Sequence, residues 1–170
     1  NLRDLRVLFE RGVFASDVLL LLATKGVLSR PWCLLEIWEA TRHGIPVVVL
    51  EVQGGGFDAA AACELLLELP AELERLNPGA IDEVSAQLAK EGASVSQLQE
   101  ALLKALHLDV AVSPLPPLKW RPWGTDNQVL ADVKDLVTQM AKAAGHEQLI
   151  WTTASGMEPS LPFPHTFSRT

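Results

Sequence analysis

Two unbroken apolar runs with a single helical pattern between them constrain this chain most. The first run is DVLLLLAT, Asp17–Thr24, and the second is IPVVVLEV, Ile45–Val52. Each has the length and composition of a strand buried on both faces. The segment between them, Ser29–His43, has the apolar spacing of a helix. A strand, a helix and a second strand in this order predict a parallel pair joined by a crossover helix, and hence an α/β fold.

The bounds of the crossover helix follow from its end residues. Ser29 is a predicted N-cap, and Pro31 falls in the first turn, where a missing N–H costs little. Gly44 is the predicted stop. The turn Gln53–Asp58 follows the second strand.

The rest of the chain is predicted to be mostly helical. A short helix opens the chain, with Leu2, Leu5, Leu8 and Phe9 on one stripe. Further helices are predicted at Ala59–Leu69, Ala71–Leu76, Ala80–Lys90 and Val95–His107, and a third strand at Leu108–Ser113.

The last part of the chain combines a predicted loop and a long helix. Pro114–Gly124 is predicted to be loop, because prolines interrupt sheet ladders. Thr125 or Asp126 caps a predicted helix that ends near Ala144. The predicted inner face of that helix consists of Val129, Val133, Leu136, Val137 and Met140.

Length and composition favour one domain with a tail. Of 170 residues, 48% are hydrophobic and 21% charged, which suits one core at residues 1–144 and a disordered tail at residues 145–170. The net charge of -7 argues against a nucleic-acid partner.

The longest apolar run, Val18–Ala23, is too short to span a bilayer, and no signal peptide precedes it, so no membrane partner is expected. Only Cys33 and Cys63 occur, which favours a reducing, cytoplasmic compartment, although their pairing stays open.

The crossover helix carries an acidic stripe headed by an aromatic ring. At roughly 100° per residue, Trp32, Glu36, Glu39 and His43 share one side of the helix. Three interpretations stay open. The carboxylates are a solvated edge, or they form a metal site with His43, or Glu36 is a catalytic carboxylate in a cleft, where desolvation disfavours its charge. No partner ligands from other helices support a metal site, so no metal is expected.

Three other features have a structural and a functional interpretation. Cys33 is predicted to be a small core residue, because no histidine base is paired with it in the sequence. The glycines of Gly54–Gly56 lack the spacing of a phosphate loop and are predicted to form a flexible turn. The segment Lys119–Gly124, KWRPWG, could stack a base or contact a partner, but its tryptophans are expected to pack against helices.

The segment SDVLLLLATKGVLSRPWCLLEIWEATRHGIPVVVLEV, Ser16–Val52, resembles the central part of a TIR (Toll/interleukin-1 receptor) domain. The matching features are the buried strand, the pattern Ser-x-x-Trp-Cys-x-x-Glu at the start of the helix, and the second strand. The resemblance extends over roughly Leu2–Ala144 and looks greatest to TIR-like proteins of protists and algae. It implies a flavodoxin-like, three-layer fold with a parallel sheet and helices on both faces. The family's first strands have no counterpart here, so a partial domain is expected.

The resemblance also implies function. TIR domains act as signalling modules through contacts with other TIR domains, so a homo-oligomer is expected. Many of them cleave the nicotinamide–ribose bond of NAD with a glutamate on this helix. Glu36 matches that glutamate, and Trp32, one turn earlier, is a candidate for binding the substrate. NAD is then a substrate, and no cofactor is expected. A flavodoxin-like regulator outside this family is the alternative, but it needs an acidic pocket that the sequence does not contain.

Overall fold

A computed structural model of the chain describes residues 12–106 and 118–146. Within these residues the protein is a mixed α/β structure with six α-helices and a small open sheet of three parallel strands. The strands are β1 (Leu19–Ala23), β2 (Val47–Val52) and β3 (Leu118–Trp120), in the spatial order β1-β2-β3. The helices are α1 (Pro31–Arg42), α2 (Ala59–Leu67), α3 (Leu69–Leu76), α4 (Ala80–Lys90), α5 (Val95–Ala105) and α6 (Asp126–Ala143).

The central strand–helix–strand unit confirms the main sequence prediction. Strand β1 pairs in parallel with β2, with Leu19 opposite Val47 and Ala23 opposite Glu51. Helix α1 connects the two strands, as a parallel pair requires. Gly44, with φ of 70°, follows the end of α1, and its N–H donates to the carbonyl of Thr41. The predicted stop signal is therefore confirmed.

The start of α1 differs from the prediction. Ser29 does not cap the helix, because Val27–Ser29 form a 3-10 turn and the Ser29 hydroxyl donates to the carbonyl of Gly26 at 2.9 Å. Arg30 is the N-cap and provides no side-chain hydrogen bond. Pro31 begins the helix as predicted, since its missing N–H has no intrahelical partner to lose.

The predicted loop at Pro114–Gly124 contains the third strand. Leu118 pairs with Leu50, and Trp120 pairs with Val52, in parallel register. The N–H of Gln53 donates to the carbonyl of Trp120 at 2.8 Å. Pro122 lies outside these three paired residues, so it removes no ladder bond.

Most of the core lies on one face of the sheet. Side chains alternate along a strand, and Leu21, Val47 and Val49 point into a cluster with the helices α1 to α5. Helix α1 lies at its centre, packed against α4 and α5. Leu34 of α1 and Leu102 of α5 are fully buried there.

Helix α6 packs on the other face. It contacts β2 and β3, and the side chains with opposite alternation, Val48 and Leu50, are buried although they lie outside the main cluster. Thr125 caps α6 as predicted, in a capping box with Gln128.

The predicted inner face of α6 is wrong in two positions. Val133 and Val137 are exposed, whereas Val129, Leu136 and Met140 are half-buried. The only fully buried residue among those described in α6 is Asp132. The hydropathy pattern did not predict this face, because the Asp132 carboxylate, rather than a valine, points inward and pairs with Arg121.

Three predictions lie outside the described residues. These are the helix of residues 1–11, the strand Leu108–Ser113, and most of the tail assigned to residues 145–170. Among the described helices, none is long and apolar enough to cross a membrane.

Candidate functional site

The elements before and after α1 fix the position of its first turn. The 3-10 turn Val27–Ser29 leads from β1 into the helix, and the side-chain amide of Asn77 donates to the Ser29 carbonyl at 2.9 Å. This bond ties the entry of α1 to the end of α3. Trp32, Cys33 and Glu36 are therefore presented by a helix that is held at its beginning.

The acidic stripe predicted on α1 separates into two environments. Glu39 is only 4% exposed, whereas Glu36 is half-buried. One oxygen of Glu39 lies 3.3 Å from Nη1 of Arg42, and the other lies 3.6 Å from Nδ1 of His43. The interpretation of both glutamates as a solvated edge is therefore wrong for Glu39, which is a buried, paired carboxylate.

Arg42 and His43 connect this buried carboxylate to the rest of the fold. Arg42 also forms an ion pair with Glu91 at the end of α4, and its guanidinium lies 5.7 Å from the ring of Trp38. The ring of His43 stacks on Phe14, with centroids 4.0 Å apart. His43 is the C-cap of α1, and its Nδ1 lies 2.9 Å from the carbonyl of Glu39. These contacts have a structural role at the end of the helix.

Glu36 has different surroundings from Glu39. Burial raises its pKa above the ordinary range of glutamate, because desolvation disfavours the charged form. Within residues 12–106 and 118–146, no hydrogen-bond donor or cation is paired with it. A half-buried carboxylate without such a partner can accept a proton or stabilise a developing positive charge.

The neighbours of Glu36 on the helix are Trp32 and Cys33. Both are half-buried and pack against the main core cluster. Burial raises the pKa of the Cys33 thiol, and the charge of Glu36 raises it further, while Arg30 acts in the opposite direction. Cys33 is therefore a neutral, free thiol at pH 7 and a poor nucleophile, in agreement with its predicted packing role.

The three residues of the metal-site interpretation do not converge. Glu39 is paired with Arg42 and His43, and Glu36 lies apart from this group. In the described part of the chain, no cluster of three histidine, cysteine or carboxylate side chains could hold a metal ion.

A separate cavity of about 730 Å³ opens at the carboxyl ends of β1 and β2. Its lining includes Thr24 and Lys25 after β1, Gly56 and Asp58 before α2, and the apolar side chain of Leu65. Clefts at this edge of a parallel sheet are common ligand sites. Neither Glu36 nor Trp32 lines this cavity, so the two candidate site residues and the cavity are separate features of the structure.

The glycines beside this cavity form a tight turn. The N–H of Lys25 donates to the carbonyl of Gly55 at 2.7 Å, which joins the two loops. A Cβ on Gly55 would lie 2.8 Å from the carbonyl oxygen of Val52, so only glycine fits there. Asp58 caps α2 by accepting from the N–H groups of Ala60 and Ala61, which occupies two of the amides that an anion would need.

The KWRPWG segment contains an anchor that no local sequence pattern indicates. Nη2 of Arg121 lies 2.5 Å from Oδ1 of the buried Asp132, and the Arg121 N–H donates to Oδ2 at 2.9 Å. The guanidinium lowers the pKa of the Asp132 carboxyl. Trp123, predicted to pack against a helix, is 92% exposed, so that prediction is wrong. Arg121 and Asp132 are eleven residues apart in the sequence, so no local pattern predicts that they form an ion pair.

Comparisons of the chain with protein-family models, with curated proteins and with solved structures gave no match. The geometry of α1, the open sheet and the exposed surfaces is therefore what bears on function.

Proposed function

We propose that the chain is a TIR-like signalling module that acts by associating with further copies of itself. The single observation that carries this proposal is the edge strand β1. Its sequence is LLLLA, and Leu22, the fourth residue of this apolar strand, is 50% exposed. The WCLLE pattern on the adjoining helix α1 adds the resemblance to TIR domains.

The two edges of the sheet differ in a way that supports this role. Strand β3 has only three residues, exposes Lys119, and is bounded by prolines, all of which discourage pairing with another chain. Strand β1 has five apolar residues without charge or proline, and in the described residues it pairs with β2 alone. Unpaired backbone groups beside apolar side chains favour the addition of a strand.

A twofold pairing of β1 edges is tested by sedimentation velocity across a range of protein concentrations. We expect the wild-type chain to self-associate and Leu22→Lys to lose the contact, because a charged side chain on an edge strand discourages pairing with another chain. Leu67→Lys is the matched control, since Leu67 is 54% exposed on α2, away from the sheet edge. A wild-type chain that stays monomeric at every concentration contradicts the proposed function.

A second candidate function, NAD glycohydrolysis, is favoured by Glu36. Nicotinamide leaves the ribose as a neutral molecule from a cationic pyridinium, so the reaction needs no general acid. Water adds to the anomeric carbon and loses a proton, which gives nicotinamide, ADP-ribose and one proton. Glu36 would stabilise the positive charge that develops on the ribose, as carboxylates do in glycoside cleavage. Trp32, one turn earlier, would border the nicotinamide ribose.

Release of nicotinamide, followed by chromatography, tests this candidate. We expect Glu36→Gln to abolish release, because an amide cannot stabilise the cation as a carboxylate does. Glu83→Gln on the exposed side of α4 is the matched control and should leave the rate unchanged. Equal rates for the wild-type chain and for Glu36→Gln would exclude Glu36 from the chemistry.

A further inference from the structure

Helix α6 carries an exposed apolar stripe that its packing on the sheet does not use. Leu130, Val133 and Val137 are 53%, 38% and 39% exposed. Their spacings of three and four residues place them on one side of the helix. Trp123, two residues before the N-cap Thr125, is 92% exposed. An aromatic ring and three aliphatic side chains at this exposure mark a contact surface more than a solvated helix face.

The opposite side of α6 is already occupied. Asp132 is buried there against Arg121, and Leu136 is half-buried toward the sheet. Among the described elements, α6 has substantial contacts only with β2 and β3. The stripe of Leu130, Val133 and Val137 therefore points away from the described body of the protein.

The charges around the stripe are arranged symmetrically about Leu130. Asp126 lies four residues before Leu130, and Lys134 lies four residues after it. Both are exposed, and neither has an ion-pair partner in the part of the chain that the structure describes. Trp123 lies in the turn before α6 and is not part of the helix.

This arrangement is self-complementary. If two α6 helices pair antiparallel about a twofold axis at Leu130, Asp126 of one copy comes level with Lys134 of the other. A twofold contact needs a patch that matches itself in this way, with opposite charges equally far from the axis.

We propose that the stripe of α6 is a second, isologous contact between copies of this chain, centred on Leu130. This inference rests on the proposed function of self-association, and it specifies a surface separate from the β1 edge. A protomer with two different twofold contacts adds copies alternately through each, so the assembly extends beyond a dimer. Four side chains supply only part of the roughly 800 Å² per partner that a stable interface buries, so the contact is weak and depends on concentration.

Four proteins compared by sedimentation velocity separate the two contacts. The wild-type chain should form species larger than a dimer. Leu22→Lys should stop at a dimer held by α6, and Leu130→Asp should stop at a dimer held by β1. The double variant should be monomeric. If Leu130→Asp assembles like the wild-type chain, the α6 contact is overturned while self-association stands. If the wild-type chain is monomeric, both proposals fall, and the chain's own segments or solvent cover the stripe.

A charge exchange tests the twofold geometry itself. Asp126→Lys and Lys134→Asp each place like charges level with each other and should weaken the α6 dimer, measured in the Leu22→Lys background, by about tenfold. Combining the two exchanges should restore it. Lys142→Asp is the matched control, because Lys142 lies on another side of α6 and should leave the dimer unchanged. Absence of restoration in the combined variant contradicts a contact centred on Leu130.

Discussion

Glu36 and Glu39 lie three residues apart on α1, but their surroundings give them different properties. Glu39 is buried and compensated by Arg42 and His43. Glu36 is half-buried, without a described partner, and its pKa is raised by desolvation. A carboxylate of the second kind lowers stability at neutral pH, because burial disfavours its charged form.

Replacing Glu36 with glutamine should stabilise the protein at pH 7. Below the ordinary glutamate pKa of about 4.3, the carboxyl is neutral in both the folded and unfolded states and has no effect. As pH rises from there through the raised pKa of the folded protein, the unfolded chain ionises more readily and wild-type stability falls. We expect Glu36→Gln to unfold at higher urea concentration at pH 7, by at most about 1 kcal/mol, because partial hydration weakens the effect. The difference should disappear below pH 4.

Removing the cation beside Glu39 should have the opposite effect. Arg42→Ala leaves a buried carboxylate with only His43 nearby, and it also breaks the ion pair with Glu91. We expect a loss of about 1–3 kcal/mol in the free energy of unfolding, measured by urea titration. Arg75→Ala, which breaks an exposed pair with Glu72 within one helix, should change stability much less than Arg42→Ala does. Equal losses in the two variants would contradict a structural role for Glu39.

At the scale of elements, the sequence predicted what depends on local pattern. Strands β1 and β2, helix α1 and the end of α1 at Gly44 follow from apolar runs and one glycine, and all are present. Strand β3 was missed because three residues between prolines carry too little pattern. It forms because its backbone pairs with β2. This pairing is not predictable from the local sequence of β3. The burial of Asp132 likewise depends on a partner eleven residues away.

The candidate site was only partly predictable for the same reason. The motif on α1 identified Glu36, and helical spacing placed it with Trp32, Glu39 and His43. The structure then separated Glu39 from Glu36 through contacts with Arg42 and His43, which depend on how deeply each side of α1 is buried. The cavity beside Gly56 and Asp58 depends on the meeting of two loops and was not foreseen.

Helix α1 should be the most sensitive element to truncation of its core side chains. Leu34 is fully buried against the helices that cover the sheet. Leu34→Ala should lower the free energy of unfolding by about 2–5 kcal/mol, through lost burial and the cavity left behind. Leu67→Ala on the exposed side of α2 should change it by about 0.5 kcal/mol or less. Urea titration of both variants measures the difference, and similar losses would contradict the assigned core.

The attachment of α6 to β3 should depend on pH. Arg121 lowers the pKa of Asp132, so this carboxylate stabilises the fold above its unfolded pKa of about 3.9. The contribution is lost as pH falls through the lowered pKa of the folded state. In urea titrations from pH 5 to pH 2, the wild-type chain should lose stability more steeply than Asp132→Asn, in which the group does not titrate. Parallel curves for the two proteins would contradict the Arg121–Asp132 anchor.

At the scale of the whole molecule, the protein has one well-covered sheet face and two unused surfaces. Among the described elements, helices α1 to α5 cover most of the first face, whereas α6 covers part of the second. The edge of β1 at Leu22 and the outer stripe of α6 at Leu130 are both apolar and exposed. In the proposed assembly, these are the two surfaces through which copies of the chain contact each other.

Sedimentation velocity of the wild-type chain, over a hundredfold range of concentration, tests the central claim of self-association most directly. We expect a sedimentation coefficient that rises with concentration past that of a dimer, and a smaller rise for Leu22→Lys. A single monomeric species at every concentration, from protein that unfolds cooperatively in urea, would contradict it.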